Sequence, residues 1–222
     1  MTQEPEDGGN ESIAPADAAA PAPVAAAPAR KRPKPGERRV QILETLAAML
    51  EQPGADRITT AALAAKLEVS EAALYRHFAS KAQMFEGLIE FVEQTVFTLI
   101  NQIHEREAAS GVQVQKMLTV LLQFAEKNPG MARVMVGDAL VFENERLLTR
   151  MNQFFERFES QLRQALRGHA EALGSGTPTV DANAQASVLT SFAVGRLQRF
   201  ARSGFKRSPT EHLDAALRML AP

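Results

Sequence analysis

The sequence predicts an all-α protein, and three observations support this fold class. From Glu37 onward, apolar residues recur every three or four positions, which is the period of a helix with one buried face. No segment alternates apolar and polar residues as a half-buried strand would. Helix-capping residues and turns separate the periodic segments, most clearly at Asn128-Pro129-Gly130 and Gly174-Ser175-Gly176.

Three short helices are predicted before residue 80. The first carries an apolar face that includes Ile42 and Leu46, and it ends at Pro53-Gly54. A second helix follows Thr59, and Ser70 is placed to cap a third. Together these segments predict a compact N-terminal unit.

Longer helices follow. Ser80 and Gln83 form a capping box that opens a fourth helix reaching about Glu107. Further helices are predicted at about 112–126, 131–137, 143–173, 179–203 and 209–220. The last is expected to open with the capping box Ser208-Pro209-Thr210-Glu211. Helix 143–173 has a broad apolar stripe that could be scored as a coiled coil, although a core helix is the favoured interpretation.

The composition excludes several classes of protein. The 222 residues are 45% apolar and 23% charged, close to globular averages, so a wholly disordered chain is excluded. The absence of cysteine excludes a disulfide framework, zinc fingers and thiol catalysis, and it is compatible with a reducing cytosol. No apolar run approaches the roughly 18 residues that a membrane helix needs, so we expect no membrane span.

Charge is distributed unevenly along the chain. Residues 1–29 contain five acidic residues and no Lys or Arg, whereas residues 30–81 contain ten basic and six acidic residues. The remaining residues balance, with fifteen of each sign. A basic segment in a nearly neutral protein suggests one region that faces a polyanion.

The segment from Ile58 to Lys81 has the spacing of a helix-turn-helix motif at about 59–78. Its shared core is expected from Leu63, Leu67, Val69, Leu74 and Phe78. In this motif the second helix enters the major groove of DNA. The outward positions carry groups that can contact phosphates or bases: Thr59, Ser70, Glu71, Ala72, Tyr75, Arg76, His77 and Lys81.

Each of these residues also has a structural interpretation when taken alone. Thr59 and Ser70 could be plain helix caps, because a hydroxyl at that position accepts a backbone N–H. Tyr75, the only tyrosine, could be a half-buried core residue, and His77 could be a structural hydrogen-bonding group. The combined spacing is more specific than any single residue.

The motif resembles the DNA-binding domain of the TetR family of bacterial regulators. The matching residues run from Thr59-Thr60-Ala61 through Leu74-Tyr75-Arg76-His77-Phe78 to Ser80-Lys81. The resemblance implies an all-helical homodimer whose first helices bind double-stranded DNA and whose C-terminal helices, here 179–203 and 209–220, form the dimer. It adds Thr60 and Ala61 to the DNA-binding candidates. Arg38 is a further candidate because it belongs to the basic run at 30–39, which either contacts phosphates or is a solvated flank.

The resemblance also divides the chain. It implies a helix-turn-helix domain at 36–82 and a helical dimerisation and partner-binding domain at 83–222. Residues 1–33 are rich in Ala and Pro and lie outside it. They can bury too little surface to offset the entropy of ordering, so we predict a disordered tail there.

The C-terminal segments resemble one branch of the family that acts in nucleoid occlusion. They include Leu88–Glu93, Phe124–Gly130, Arg150–Arg157 and Arg199–Lys206. The resemblance implies a cytoplasmic, nucleoid-associated protein that binds dispersed chromosomal sites, with one or several dimers on each site. The resemblance also implies that, while bound, the protein antagonises polymerisation of the division protein FtsZ. The implied FtsZ-binding groove lies between the fourth and fifth helices, with candidates Phe91, Val120, Gln123, Lys127 and Asn128.

Two rings of the fourth helix lie away from its inward stripe, which is Phe85, Leu88, Val92, Val96, Leu99 and Ile103. Phe91 and Phe97 could form a second packing surface or a partner site. The resemblance favours a partner site for Phe91, and Lys127 suits the acid-containing tail of FtsZ. Leu99 stands where the branch can carry a basic residue, so the resemblance does not extend to charge steering there.

An enzymatic function has little support in the sequence. The four histidines, His77, His104, His169 and His212, are scattered, and no phosphate-binding glycine loop is present. We therefore expect no catalytic residues, metal or cofactor. The alternative function is a ligand-responsive TetR-type repressor, which would turn polar or aromatic residues into a cavity among the C-terminal helices.

Overall fold

The computed structural model describes residues 36–52 and 57–222, and within them it contains helices, turns and no strand. The predicted all-α class is therefore confirmed. The predicted tail at 1–33 and the helix end at Pro53-Gly54 lie outside the described residues. The helices are α1 (Glu37–Leu50), α2 (Thr60–Lys66), α3 (Glu71–Tyr75), α4 (Lys81–Arg106), α5 (Ser110–Lys127), α6 (Pro129–Met135), α7 (Glu145–Ala172), α8 (Pro178–Arg202) and α9 (Leu213–Leu220), with a 3₁₀ turn at Asp138–Leu140.

The first three helices pack around the core that the motif predicted. Leu63, Leu74 and Phe78 are buried together with Ile42, Leu46 and Leu50 of α1. Val69 is only partly buried against this core. Burial of these side chains fixes the angle between α2 and α3, so the residues that do not face the core remain on the outside.

The caps show where sequence signals do and do not form hydrogen bonds. The Thr59 hydroxyl accepts the Ala62 N–H at 3.1 Å, and the Ser80 hydroxyl accepts the Gln83 N–H at 3.2 Å. Gln83 Oε1 accepts the N–H of Ala79 at 2.8 Å, whereas a capping box would have it accept the N–H of Ser80. Ser70 is the N-cap residue of α3, as predicted, but its side chain makes no capping hydrogen bond.

The C-terminal helices form the larger part of the core. All six residues of the predicted stripe on α7 are buried: Leu147, Met151, Phe154, Phe158, Leu162 and Ala165. They pack against α5 and α8, which supports a core helix rather than a coiled coil. None of the helices in the described part of the chain is long and apolar enough to cross a bilayer.

The last helix begins later than the sequence indicated. It begins at Leu213, after His212 in the left-handed region, and not at Pro209. The hydroxyl of Ser208 donates to one oxygen of Glu126, and the hydroxyl of Thr210 donates to the other at 2.7 Å. This carboxylate on α5 holds the segment as a turn, so the predicted capping box does not form.

A close backbone contact joins α1 to α6. A Cβ built on Gly130 would lie 2.2 Å from the carbonyl oxygen of Ala47 and 3.0 Å from its carbonyl carbon. These are backbone atoms, which cannot move aside as the end of a flexible side chain can. Only glycine permits this approach of the N-terminal unit to the following helices.

We expect Gly130→Ala to lower the free energy of unfolding by about 2 kcal/mol or more, because overpacked contacts force backbone shifts. Gly176→Ala is the matched control, since nothing lies within 4 Å of its added methyl group. Urea unfolding followed by circular dichroism measures both. Equal midpoints for the two variants would contradict the proposed contact.

Candidate functional site

The predicted DNA-binding residues of α2 and α3 lie on the outside of the motif. The exposed ones are Thr59, Ala61, Ser70, Glu71, Ala72, Tyr75, Arg76 and His77, whereas Arg38, Thr60 and Lys81 are partly buried. Tyr75 is 45% exposed, so it is not a core residue. Their contacts with DNA remain predictions.

The hydroxyl groups of this surface differ in what they can still bind. Thr59 accepts a backbone N–H as a cap, and its hydroxyl hydrogen is left to donate to a phosphate oxygen. Ser70 makes no capping bond and is exposed. Thr60 donates its hydroxyl to Glu71 Oε2 at 2.6 Å, which links α2 to the first turn of α3. Thr59 thus serves as a cap while keeping a donor for DNA.

Two basic residues at the edge of the motif are engaged within the protein. Arg38 donates to Gln41 Oε1 at 2.8 Å, one turn along α1. The guanidinium of Arg39 lies 4.7 Å from the centre of the Phe78 ring, a cation–π contact that packs α1 on the end of the motif. Sequence spacing gave no reason to single out Arg39 from its basic neighbours.

Lys81, the predicted phosphate contact at the start of α4, forms an ion pair with Glu143. The Glu143 side chain is only 9% exposed and lies in the segment between the 3₁₀ turn and α7. A phosphate contact by Lys81 would therefore compete with a largely buried carboxylate. The sequence could not reveal Glu143, since 62 positions separate the two residues.

The predicted partner residues lie along the junction of the packed helices α4 and α5, which is called the α4–α5 groove below. Phe91 on α4 is 47% exposed, and its ring centre lies 5.9 Å from that of the buried Phe124 on α5. Val120 is partly buried, whereas Gln123 and Lys127 are exposed. The groove therefore combines an apolar floor with a cationic edge, although its role as a binding site remains a prediction.

Asn128 has a structural role at the end of this groove. Its side-chain amide donates to the Phe124 carbonyl at 2.7 Å, and the residue joins α5 to α6. Because its side chain already satisfies the backbone at this junction, a substitution here changes local structure as well as any partner contact.

The two rings away from the inward stripe have different environments. Phe97 is 5% exposed, with the Phe154 ring 5.3 Å away and the Arg157 guanidinium 3.8 Å from its centre. Phe97 is thus a core residue, whereas Phe91 remains at the surface. Leu99, placed inward by the stripe, is exposed, and Ile100 is buried in its place because α7 covers that side of α4.

A surface groove of about 470 Å³ continues from Val120 toward α9. It is lined by Ile103 of α4, Lys116 and Thr119 of α5, and Leu217 of α9, among others. The sequence did not indicate this extension, because α9 is about a hundred residues from the other walls. Its lining combines aliphatic side chains with charged ones, the latter being Lys116, Asp214 and Arg218.

The C-terminal core offers little chemistry for recognising a metabolite. Thr190 is the one buried polar side chain in the described part of the protein, and its hydroxyl has no hydrogen-bond partner there. Specific ligand pockets place several polar groups among apolar walls. The packing therefore disfavours the ligand-responsive alternative.

We expect Lys81→Ala to lower the free energy of unfolding by about 2 kcal/mol, because it leaves the Glu143 carboxylate largely buried without a counterion. Adding Glu143→Gln should restore most of that stability. If Lys81 also contacts a phosphate, the double variant should still bind DNA weakly, with a salt slope reduced by about one. Thermal melts and fluorescence anisotropy at several salt concentrations measure both quantities. Recovery of full DNA affinity by the double variant would contradict the phosphate contact.

Comparison with known proteins matches both parts of the chain. Residues 42–88 match the family described as bacterial regulatory proteins, tetR family, and residues 109–221 match the tetracyclin repressor-like, C-terminal domain of SlmA-like proteins. The first range includes the candidates from Thr59 to Lys81. The second includes those from Val120 to Asn128.

Similar proteins of known name cover most of the chain. The nucleoid occlusion factor SlmA of Photobacterium profundum is 50% identical over 85% of this chain and 96% of its own length. That of Idiomarina loihiensis is 53% identical over 80% of this chain and 90% of its own length. Both alignments extend well beyond the DNA-binding motif.

Solved structures share the fold at low sequence identity. The transcriptional regulator FadR from Bacillus subtilis, in complex with stearoyl-CoA, has a TM-score of 0.65 at 14% identity and covers 82% of this chain and 96% of its own. AibR, in complex with isovaleryl coenzyme A and operator DNA, has a TM-score of 0.66 at 17% identity, covering 83% and 98%. At these identities the likeness concerns the fold alone. The two sequence alignments, in contrast, are extensive and close, and the chain therefore belongs to the TetR family of regulatory proteins, in the group of the nucleoid occlusion factor SlmA.

Proposed function

We propose that this protein is a sequence-specific DNA-binding nucleoid occlusion factor. Bound to chromosomal sites, it antagonises FtsZ polymerisation and prevents assembly of the division septum over the nucleoid. The observation that carries the proposal is an exposed Phe91 on α4, above the α4–α5 groove, in a helix that begins at the helix-turn-helix motif. One helix thus serves a DNA surface at its start and a partner surface further along.

The DNA surface is supported by the exposure and chemistry of its side chains. Arg76, His77 and Tyr75 extend from the end of α3 into solvent, and Thr59 retains a free donor beside them in the motif. Such groups contact phosphates and base edges when the second helix of the motif enters the major groove. This chemistry fits a regulator and gives no support to an enzyme.

A homodimer is required for reading a palindromic site, because each chain supplies one recognition helix. Apolar side chains exposed on α8 and α9 support an interface there: Val180, Val188 and Met219. Val188 is 54% exposed in the middle of α8. A second copy of the chain would cover this face.

The groove between α4 and α5 suits the tail of FtsZ. According to the family resemblance, that tail contains acidic residues. Phe91 and Val120 offer apolar contacts, and the exposed Lys127 offers a positive charge at the edge. Opposite charges across such a groove speed encounter and select orientation. Action on the chromosome and on FtsZ places the protein in the cytoplasm at the nucleoid.

Genome-wide mapping of binding tests the function directly. Many dispersed sites, depleted near the replication terminus, are expected of a nucleoid occlusion factor. Binding at a single promoter would instead identify a ligand-responsive repressor. Bacteria depleted of the protein should form septa over unsegregated nucleoids when placement of the division site is delayed.

We expect Val188→Arg to convert the dimer to a monomer, because it places a charge in an apolar contact. DNA affinity should fall with it. Val141→Arg is the control, since Val141 is also exposed but lies beside the 3₁₀ turn, away from α8. Light scattering at micromolar concentration measures the mass. A wild-type monomer that binds its DNA site with full affinity would contradict the dimer.

DNA binding and FtsZ antagonism should be separable. Phe91→Ala should leave DNA binding nearly unchanged and cost less stability than loss of a buried ring, because Phe91 is 47% exposed, but it should abolish antagonism of FtsZ assembly. Thr59→Ala should lose DNA affinity beyond the roughly 1 kcal/mol of a lost cap, while keeping the groove. FtsZ sedimentation with and without DNA measures the antagonism.

Two further variants control that experiment. Phe97→Ala removes a buried ring of the same helix and should cost about 3 kcal/mol or more of stability. Lys127→Gln should weaken FtsZ antagonism, because it removes the exposed positive charge at the edge of the groove. If Phe91→Ala melts as early as Phe97→Ala and loses both activities, the groove is not the FtsZ site.

A further inference from the structure

Thr60 holds the carboxylate of Glu71 on the surface that is proposed to face DNA. Its hydroxyl donates to Glu71 Oε2 at 2.6 Å, joining the first turn of α2 to the first turn of the recognition helix α3. The two residues are eleven positions apart, so the bond depends on the packing angle of the two helices. It fixes the direction of the carboxylate before any DNA is present.

The other oxygen of this carboxylate is available. Glu71 is exposed, and Oε1 accepts no hydrogen bond and meets no cation in the part of the chain that the structure describes. The partner of Oε2 is neutral, so the carboxylate keeps its charge, which a Lys or Arg partner would offset. A fixed anion on a surface that faces phosphates is unfavourable unless DNA supplies donors to it.

The major groove supplies such a donor at one base in particular. Cytosine presents its N4 amino group, whereas guanine presents two acceptors and thymine an acceptor and a methyl group. Adenine has an amino group, but its N7 acceptor lies beside it and would repel a carboxylate. A carboxylate at the start of a recognition helix therefore selects cytosine and rejects the other bases.

We propose that Glu71 is a specificity-determining residue that accepts the N4–H of a cytosine through Oε1, and that Thr60 is its positioning residue. The inference rests on the proposed DNA-binding function and names the base that this site reads. Holding Glu71 in one rotamer in the free protein lowers the entropy lost on binding. The same hydrogen bond leaves Oε1 of Glu71 directed toward the major groove of the DNA.

The test compares base preference among variants of the full-length protein. A preferred duplex is selected from a random library with the wild type. Affinities are then measured by fluorescence anisotropy, at one salt concentration, for that duplex and for each single base-pair change made in both half-sites. The variants are Glu71→Gln, Thr60→Val, which keeps the shape without the hydroxyl, and Thr60→Ser, which keeps the hydroxyl.

The wild type should prefer cytosine at one position by about tenfold. Glu71→Gln should lose this preference there and gain affinity for adenine, because an amide pairs with adenine N6 and N7. Thr60→Val should reduce the cytosine preference to a few-fold, and Thr60→Ser should restore it. Preferences at the other positions should not change.

Other outcomes overturn the proposal in distinguishable ways. If Glu71→Gln and Thr60→Val lower affinity equally for all duplexes and melt early, the bond only joins α2 to α3. If both variants keep the wild-type preference, Glu71 reads no base. If the wild type itself shows no sequence preference, the proposed function fails rather than the assignment of Glu71.

Discussion

The position of α4 is the constraint on which both candidate surfaces depend. Its buried side chains pack toward the core, and three ion pairs fix its other flank to α7 and the segment before it: Lys81–Glu143, Glu86–Arg146 and Glu93–Arg150. The last is bidentate, and its hydrogen bonds to Glu93 raise the pKa of Arg150 above its ordinary value despite partial burial. The two pairs formed by Arg146 and Arg150 are only partly shielded from water, so they set geometry more than they add stability, whereas Glu143 in the first pair is largely buried.

This arrangement connects the two surfaces through one rigid element. The end of α4 that is proposed to face DNA carries Lys81, and the junction with α5 carries Phe91 about ten residues along the same helix. A phosphate that drew Lys81 away from Glu143 would change the restraint at the start of the helix. Such a change can reach the groove only by altering the angle of α4, because the core side chains beneath it are tightly packed.

The exposed residues show how one fold can carry two kinds of recognition. The proposed DNA surface presents hydroxyls, an imidazole and a carboxylate on and beside short helices, and hydrogen bonds such as Thr60–Glu71 direct some of these groups. The groove uses an aromatic ring over an apolar floor with a lysine at its edge. The first chemistry suits polar base edges, and the second suits an apolar segment with acidic residues, as the proposed function requires.

The sequence by itself determined the helical class, the helix-turn-helix motif and the caps at Thr59 and Ser80, because these depend on periodicity and on hydrogen bonds between near neighbours. It placed most of the α7 core correctly for the same reason. It could not separate Phe91 from Phe97, or find Leu99 at the surface, because α7 decides which side of α4 is covered. The Glu143 partner of Lys81, the Glu126 carboxylate that delays α9 and the contact of Gly130 with Ala47 were likewise decided by tertiary structure. Each joins residues that are tens of positions apart, and only the packed arrangement of helices brings them within contact distance.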